Sequence, residues 1–225
     1  MSSTTALLEV IALSAEDAER AQEGGADRLE LVADMASDGL TPSVETVRAV
    51  LAATDLPVRV MLRAENSFAA GDIDALRAIV AGLLDAGARE FVFGFLTEDS
   101  EVDVDACRVL LKEIDGQPWT FHRAIDRALD PLAACGVLAE LGCDTVLAAG
   151  HPNGVGSGLP VLQQLARRAA GPELLVGGGL RAQQVHLLRA GGVRGFHVGG
   201  AVRPDGWEAP VDAAAVREWA ELVKG

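Results

Sequence analysis

Carboxylates, imidazoles and guanidiniums in this chain stand where apolar runs end. Trp119-Thr120-Phe121 finishes in His122-Arg123, and Asp126 follows closely. Leu7-Leu8-Glu9-Val10-Ile11 carries Glu9, Arg28-Leu29-Glu30-Leu31 carries Glu30, and Val58 to Leu62 leads into Arg63. Gly195-Phe196-His197-Val198 carries His197. Titratable groups at the edge of an apolar core need partners or a ligand. Together they predict one site in which Glu9, Glu30, His122, Asp126 and His197 do acid–base work while Arg63 and Arg123 hold a small anion. Plainer roles compete: Asp126 as a cap, a Glu–Arg pair as a structural ion pair. His186, between Val185 and Leu187 in a helical stretch, reads as a surface or packing residue.

Two glycine runs add to the site. Gly177-Gly178-Gly179 and Gly199-Gly200-Ala201 each follow an apolar run late in the chain. Glycine lets backbone N–H groups approach an anion, so Gly178, Gly179, Gly199 and Gly200 are the expected contacts to a phosphate or carboxylate. Lys112 falls in a helical pattern and Lys224 in the terminal tail, so no strand supplies a Schiff-base lysine. GxSxG, P-loop and HExxH motifs are missing. Glu9, Glu30, His122 and His197 are chemically able to hold Mn, Zn or Mg, but no short-range spacing supports this and the metal stays unknown.

The elements that must position these groups alternate regularly. Strands are predicted at Leu7–Ile11, Asp27–Leu31, Val58–Leu62, Glu90–Gly94, Pro118–His122, Asp144–Ala148, Glu173–Val176 and Gly195–Val198. Helices fall between them: Ala15–Glu23 behind Ser14, one opened by Pro42-Ser43, then Asp72–Ala86, Asp103–Ile114 and one starting near Asp130-Pro131. Leu159–Ala169, Arg181–Arg189 and Asp212–Val223 complete the set, with Gly150 to Gly158 as a loop. Eight strand-then-helix units predict a single-domain (β/α)₈ TIM barrel over residues 1–225; the rival, an open doubly wound sheet, more often has fewer strands. In a barrel the active face is built by the loops after the strands, where the candidate residues stand.

Net charge is −14, which repels phosphate backbones and anionic lipid, so neither nucleic acid nor membrane is an expected partner. A small anionic ligand or a metal ion is. No apolar stretch is long enough for a membrane span, and Met1 to Thr5 lack the basic flank of a secretory signal, which predicts a cytoplasmic protein. Cys107, Cys135 and Cys143 show no CxxC spacing and read as reduced, buried thiols.

Several strings resemble the CutC family: Leu7-Leu8-Glu9-Val10, Gly25-Ala26-Asp27-Arg28-Leu29-Glu30-Leu31, Gly39-Leu40-Thr41-Pro42-Ser43 and Thr120-Phe121-His122-Arg123-Ala124-Ile125-Asp126. Ala139-Glu140-Leu141-Gly142 and Phe196-His197 extend the likeness over nearly the whole chain. The resemblance implies a TIM barrel, a cytoplasmic homodimer, and a role in copper homeostasis with copper binding. It also implies cysteines just after the first-strand Glu and the second-strand Glu-Leu, where this chain has Ile11, Ala12 and Val32. Cu(I) favours thiolate and thioether ligands, so the copper expectation rests on the resemblance alone. The alternative is an enzyme of unknown reaction, doing Glu/His acid–base chemistry on a small anionic metabolite.

Overall fold

The computed structural model describes residues 6–225, so the reading of Met1 to Thr5 lies outside the described residues. Eight parallel strands close into a barrel in sequence order. They are β1 (Leu7–Ala12), β2 (Arg28–Leu31), β3 (Val58–Met61), β4 (Glu90–Phe93), β5 (Trp119–Phe121), β6 (Thr145–Ala148), β7 (Glu173–Val176) and β8 (Gly195–Val198). The helices are α1 (Ala15–Gly24), α2 (Val44–Ala53), α3 (Ile73–Asp85) and α4 (Val104–Glu113), then α5 (Pro131–Glu140), α6 (Val155–Ala166), α7 (Ala182–Ala190) and α8 (Ala213–Lys224). The fold is the (β/α)₈ barrel.

Local chemistry sets the helix starts. Ser14, Ser43, Asp72, Asp103, Asp130 and Asp212 each accept a backbone N–H from the first turn of the helix they precede. Such a cap contributes about 1 kcal/mol. One boundary differs from expectation. Helix α6 begins at Val155, inside the segment read as a glycine-rich loop, and ends at Ala166. The glycines there serve packing: Gly154 takes a left-handed φ of 97° before the helix, and a Cβ on Gly158 would collide with the Ala149 carbonyl. Helix α6 therefore packs against the end of β6 closer than side chains would allow.

Strand alternation sorts the barrel into an apolar outside and a polar inside. Leu8, Val10, Leu29, Val60, Phe91, Phe121 and Phe196 belong to the buried apolar layer between strands and helices. The alternate positions hold Glu9, Arg28, Glu30, Arg59, Thr120, Thr145 and His197, all buried. A small apolar cluster of Ile11, Val32, Met61 and Val92 shares the interior. Barrel interiors are usually dominated by branched aliphatic residues, and this ionic filling departs from that pattern.

The floor of the barrel is closed by one arginine. Arg59 donates through Nε to Glu90 (3.1 Å), through Nη2 to Asp144 (2.7 Å), and through Nη1 to the Thr120 hydroxyl. Asp144 in turn accepts from the Thr145 hydroxyl at 2.6 Å. No helix among the described residues is long and apolar enough to cross a membrane.

Candidate functional site

At the C-terminal ends of the strands the barrel opens into a cavity of about 620 Å³. Glu30, Arg63, His122, Arg123, Asp126 and His197 line it, as do Gly178, Gly179, Gly199 and Gly200. The structure thus brings the predicted residues to one mouth, except Glu9, which lies beneath.

Glu9 is fully engaged below the cavity. Its register partners on both sides are Arg28 and His197, because β1 pairs with β2 and with β8. Arg28 Nε donates to one carboxylate oxygen and His197 Nδ1 donates to the other at 2.8 Å. Burial alone would raise the Glu9 carboxyl, but Arg28, then His197 and Arg59, outweigh it and hold it at about 2. Both oxygens of a permanent carboxylate are occupied, so the acid–base expectation for Glu9 is corrected. Glu9 fixes the His197 tautomer and aims Nε2 upward.

Above it sits Glu30. Its Oε2 lies 3.7 Å from His197 Nε2, and its Oε1 is buried with no hydrogen-bond partner among the described residues. Burial pushes Glu30 up to about 7; the His197 charge opposes this and the Glu9 charge adds to it. For His197 burial lowers the pKa, yet Glu30 and Glu9 together move it above the ordinary value. A carboxylate near neutrality beside an imidazole can exchange a proton with a bound molecule.

His122 stands at the end of β5, 4% exposed, and its Nδ1 accepts the Ala124 N–H at 3.2 Å. Its proton therefore sits on Nε2, which has no partner among the described residues. Phe68 and Phe121 both meet the imidazole edge-on, with centroids 5.6 and 6.0 Å away. Burial, followed by the Arg63 charge, lowers this histidine to about 3. It is a neutral donor at physiological pH, not a proton shuttle.

The remaining predicted side chains hold the mouth together. Asp126 accepts the Ala149 and Gly150 N–H groups and Arg123 Nε at 2.9 Å, which ties the β5 loop to β6. Its oxygens are spent on that anchor, so the catalytic expectation for Asp126 is corrected too. Arg123 Nη2 donates to the Pro152 carbonyl at 3.4 Å, Nη1 has no acceptor among the described residues, and the guanidinium lies over Gly178, where a Cβ would collide with it. Arg63 donates to the Ser37, Gly39 and Ser67 carbonyls and to Asn66. It pins two loops, so its part toward an anion is mainly its charge.

Gly178 and Gly179 adopt φ of 87° and 73°. Their N–H groups meet no acceptor among the described residues, while the Gly178 carbonyl is taken by Val155 N–H. Gly199 and Gly200 line the same cavity, with packing demands of their own. A Cβ on Gly199 would strike Ile11 and Trp207, so glycine is needed there for packing, and Gly200 opens a short 3-10 turn.

Sequence reasoning passed over Arg28, Arg59, Phe68, Arg127 and Arg181. The first two share inward parity with Glu30 and Met61, which alternation along β2 and β3 could have revealed. Phe68 lies on the loop after β3, Arg127 ends the 3-10 turn after β5 and Arg181 caps α7, positions that carry no periodic signal for the cavity. The thiols are buried, as expected; burial drives Cys107 and Cys143 up to about 12. None of the three lines the cavity.

The model of the CutC family matches residues 6–202. A family protein CutC of Enterobacter sp. (strain 638) is 34% identical over 195 residues, covering 85% of this chain and 79% of that protein. The human copper homeostasis protein cutC homolog is 35% identical over 196 residues, covering 85% and 72%. The crystal structure of CutC from Streptococcus agalactiae superposes with a TM-score of 0.78 at 25% identity, over 86% of this chain and 98% of that one. With the barrel, the inward Glu9–His197 pair and the Thr120–Asp126 string in place, the chain belongs to the CutC family.

Proposed function

We propose that this protein serves copper homeostasis, the role named in its human and mouse relatives, by binding a small anionic molecule at the barrel mouth. It does so as a homodimer in the cytoplasm. The observation that carries the reading is local charge. Arg63, Arg123, Arg127 and Arg181 line one cavity of a chain whose net charge is −14, and only Arg123 has an acidic ion-pair partner among the described residues. Low-dielectric walls focus such a field and concentrate anions from solution. The free N–H groups of Gly178 and Gly179 supply directional contacts at the same wall.

The test is thermal denaturation with oxalate, inorganic phosphate and phosphoglycolate. A ligand present at a hundredfold its Kd stabilises by about 2.7 kcal/mol. Arg123→Ala should abolish the shift. Equal shifts in wild type and variant would remove Arg123 from the site, and no shift with any anion would overturn the reading.

Copper binding at the same mouth is the second reading. Glu9, Glu30 and His197 place ligand atoms within 4.8 Å of one another, but Glu9 is saturated, leaving His197 Nε2 and the Glu30 carboxylate free. Two donors fall short of the three or more that usually hold such an ion. Met35 and Met61 line the cavity and are the soft donors that Cu(I) accepts; the thiols lie elsewhere. Copper titration decides. Stoichiometric binding that survives replacement of all three cysteines by alanine and disappears in Glu30→Gln supports this reading. Binding lost with the cysteines refutes it.

A further inference from the structure

We infer that the barrel mouth is built for proton transfer at a carbon adjacent to a carbonyl, with Glu30 taking the proton and His122 Nε2–H holding the carbonyl oxygen. The inference rests on the anion-binding reading and names its substrate class: small carbonyl compounds that carry a phosphate or carboxylate.

Two orphaned atoms make the case. Glu30 Oε1, an acceptor, and His122 Nε2, a donor, are both buried, both without a partner, and both belong to residues lining the same cavity. Leaving one such group unsatisfied costs about 1–3 kcal/mol. The groups come from β2 and β5, separate walls of the barrel, so no single packing fault explains the pair. A buried acceptor and a buried donor in the wall of one cavity, both unpartnered among the described residues, fit a ligand with an acidic C–H and a C=O.

The neighbours fit those roles. The His122 ring is held by Phe68, Phe121 and its own backbone cap, so the donor is preorganised and neutral. A neutral imidazole can stabilise an enolate by hydrogen bonding without giving up its proton. His197, steered by Glu9, faces the second Glu30 oxygen and is a positioning residue. Iminium activation has no candidate: Lys112 lies on α4, and Lys224 bonds Asp27 and the Gly25 carbonyl.

In the step, the Glu30 carboxylate removes the α-proton. The C–H electron pair becomes the C=C bond, and the carbonyl π pair moves onto oxygen, where it accepts from His122 Nε2–H. Return of a proton to the same carbon exchanges it with solvent; return to the former carbonyl carbon of a hydroxyketone isomerises it, the hydroxyl proton passing to the former carbonyl oxygen as the new C=O forms. No oxidant or metal is consumed.

The experiment is proton NMR of the full chain in D₂O with dihydroxyacetone phosphate and 2-oxobutyrate, beside thermal shifts with the same compounds and with oxalate, which cannot enolise. Exchange at the α-carbon should exceed background at least tenfold. Glu30→Gln, nearly isosteric, should bring exchange down to background while binding persists. His122→Asn keeps an acceptor for the Ala124 N–H and removes Nε2, so it should slow exchange with little change in binding. Binding without exchange, or exchange that survives Glu30→Gln, overturns the inference and leaves anion binding standing. Failure of every anion to bind overturns both.

Discussion

The floor and the mouth of this barrel contain the same kinds of side chain in opposite states. At the floor Arg59 is matched by Glu90, Asp144 and Thr120. At the mouth, among the described residues, Glu30 and His122 each keep a buried polar atom with nothing to bond, and Gly178 and Gly179 offer unused N–H groups. The floor is the less buried region, with the Glu90 and Asp144 side chains 25% and 40% exposed, so burial alone does not separate structure from site. Satisfaction does. A closed polar network specifies a fold, whereas open valences in a cavity are retained for something that comes and goes.

The comparison breaks most visibly at the floor. Arg59→Met should destabilise by about 2–3 kcal/mol in urea denaturation, because Glu90, Asp144 and Thr120 lose a buried partner together while water reaches the two partly exposed carboxylates. A loss under about 1 kcal/mol would mean the floor is not a closed network.

Next comes pH, where the two mouth residues pull in opposite directions. His122 binds its proton near 3 when folded and near 6.5 when unfolded, so its contribution to stability is lost as pH falls from 6.5. Glu30 binds near 7 when folded and near 4.5 when unfolded, so stability is gained as pH falls from 7 to 4.5. Over pH 6.5 to 4.5 each contributes up to about 2 kcal/mol, with opposite sign. Urea midpoints should therefore rise toward pH 4.5 in His122→Asn and fall in Glu30→Gln, relative to wild type. Parallel profiles for all three proteins would refute the assigned protonation states. Below pH 4.5 the Glu9 carboxylate adds its own acid sensitivity, since its folded value is about 2.

A smaller effect sharpens the distinction at neutral pH. Glu30→Gln should cause no loss of stability at neutral pH and should raise it, since burial of the carboxylate costs the fold free energy there and Oε1 has no hydrogen bond to lose among the described residues. A loss comparable to Arg59→Met would make Glu30 part of the structure after all. The smallest effect belongs outside both regions. His186 is exposed on α7, and His186→Gln should stay within about 0.5 kcal/mol by thermal melting and leave anion shifts unchanged.

Local sequence alone set the alternation of strands and helices, the cap at Ser14, the helix starts at Pro42-Ser43 and Asp130-Pro131, and the gathering of Glu30, His122 and His197 at strand ends. These follow from local rules: period two along strands, hydroxyl and carboxylate caps ahead of helices, glycine where helices stop. Helix α6 escaped because glycines that allow close packing look the same in sequence as glycines that make a loop. Which polar groups were spoken for was decided only by tertiary structure. Glu9 is silenced by Arg28 and by His197, a residue 188 positions away that becomes its neighbour when β8 closes on β1. Asp126 is spent on the backbone of the β6 loop, and Arg63 on carbonyls of two others. Hydrogen-bond satisfaction depends on partners that only barrel closure brings within about 3 Å, and no local pattern encodes that distance.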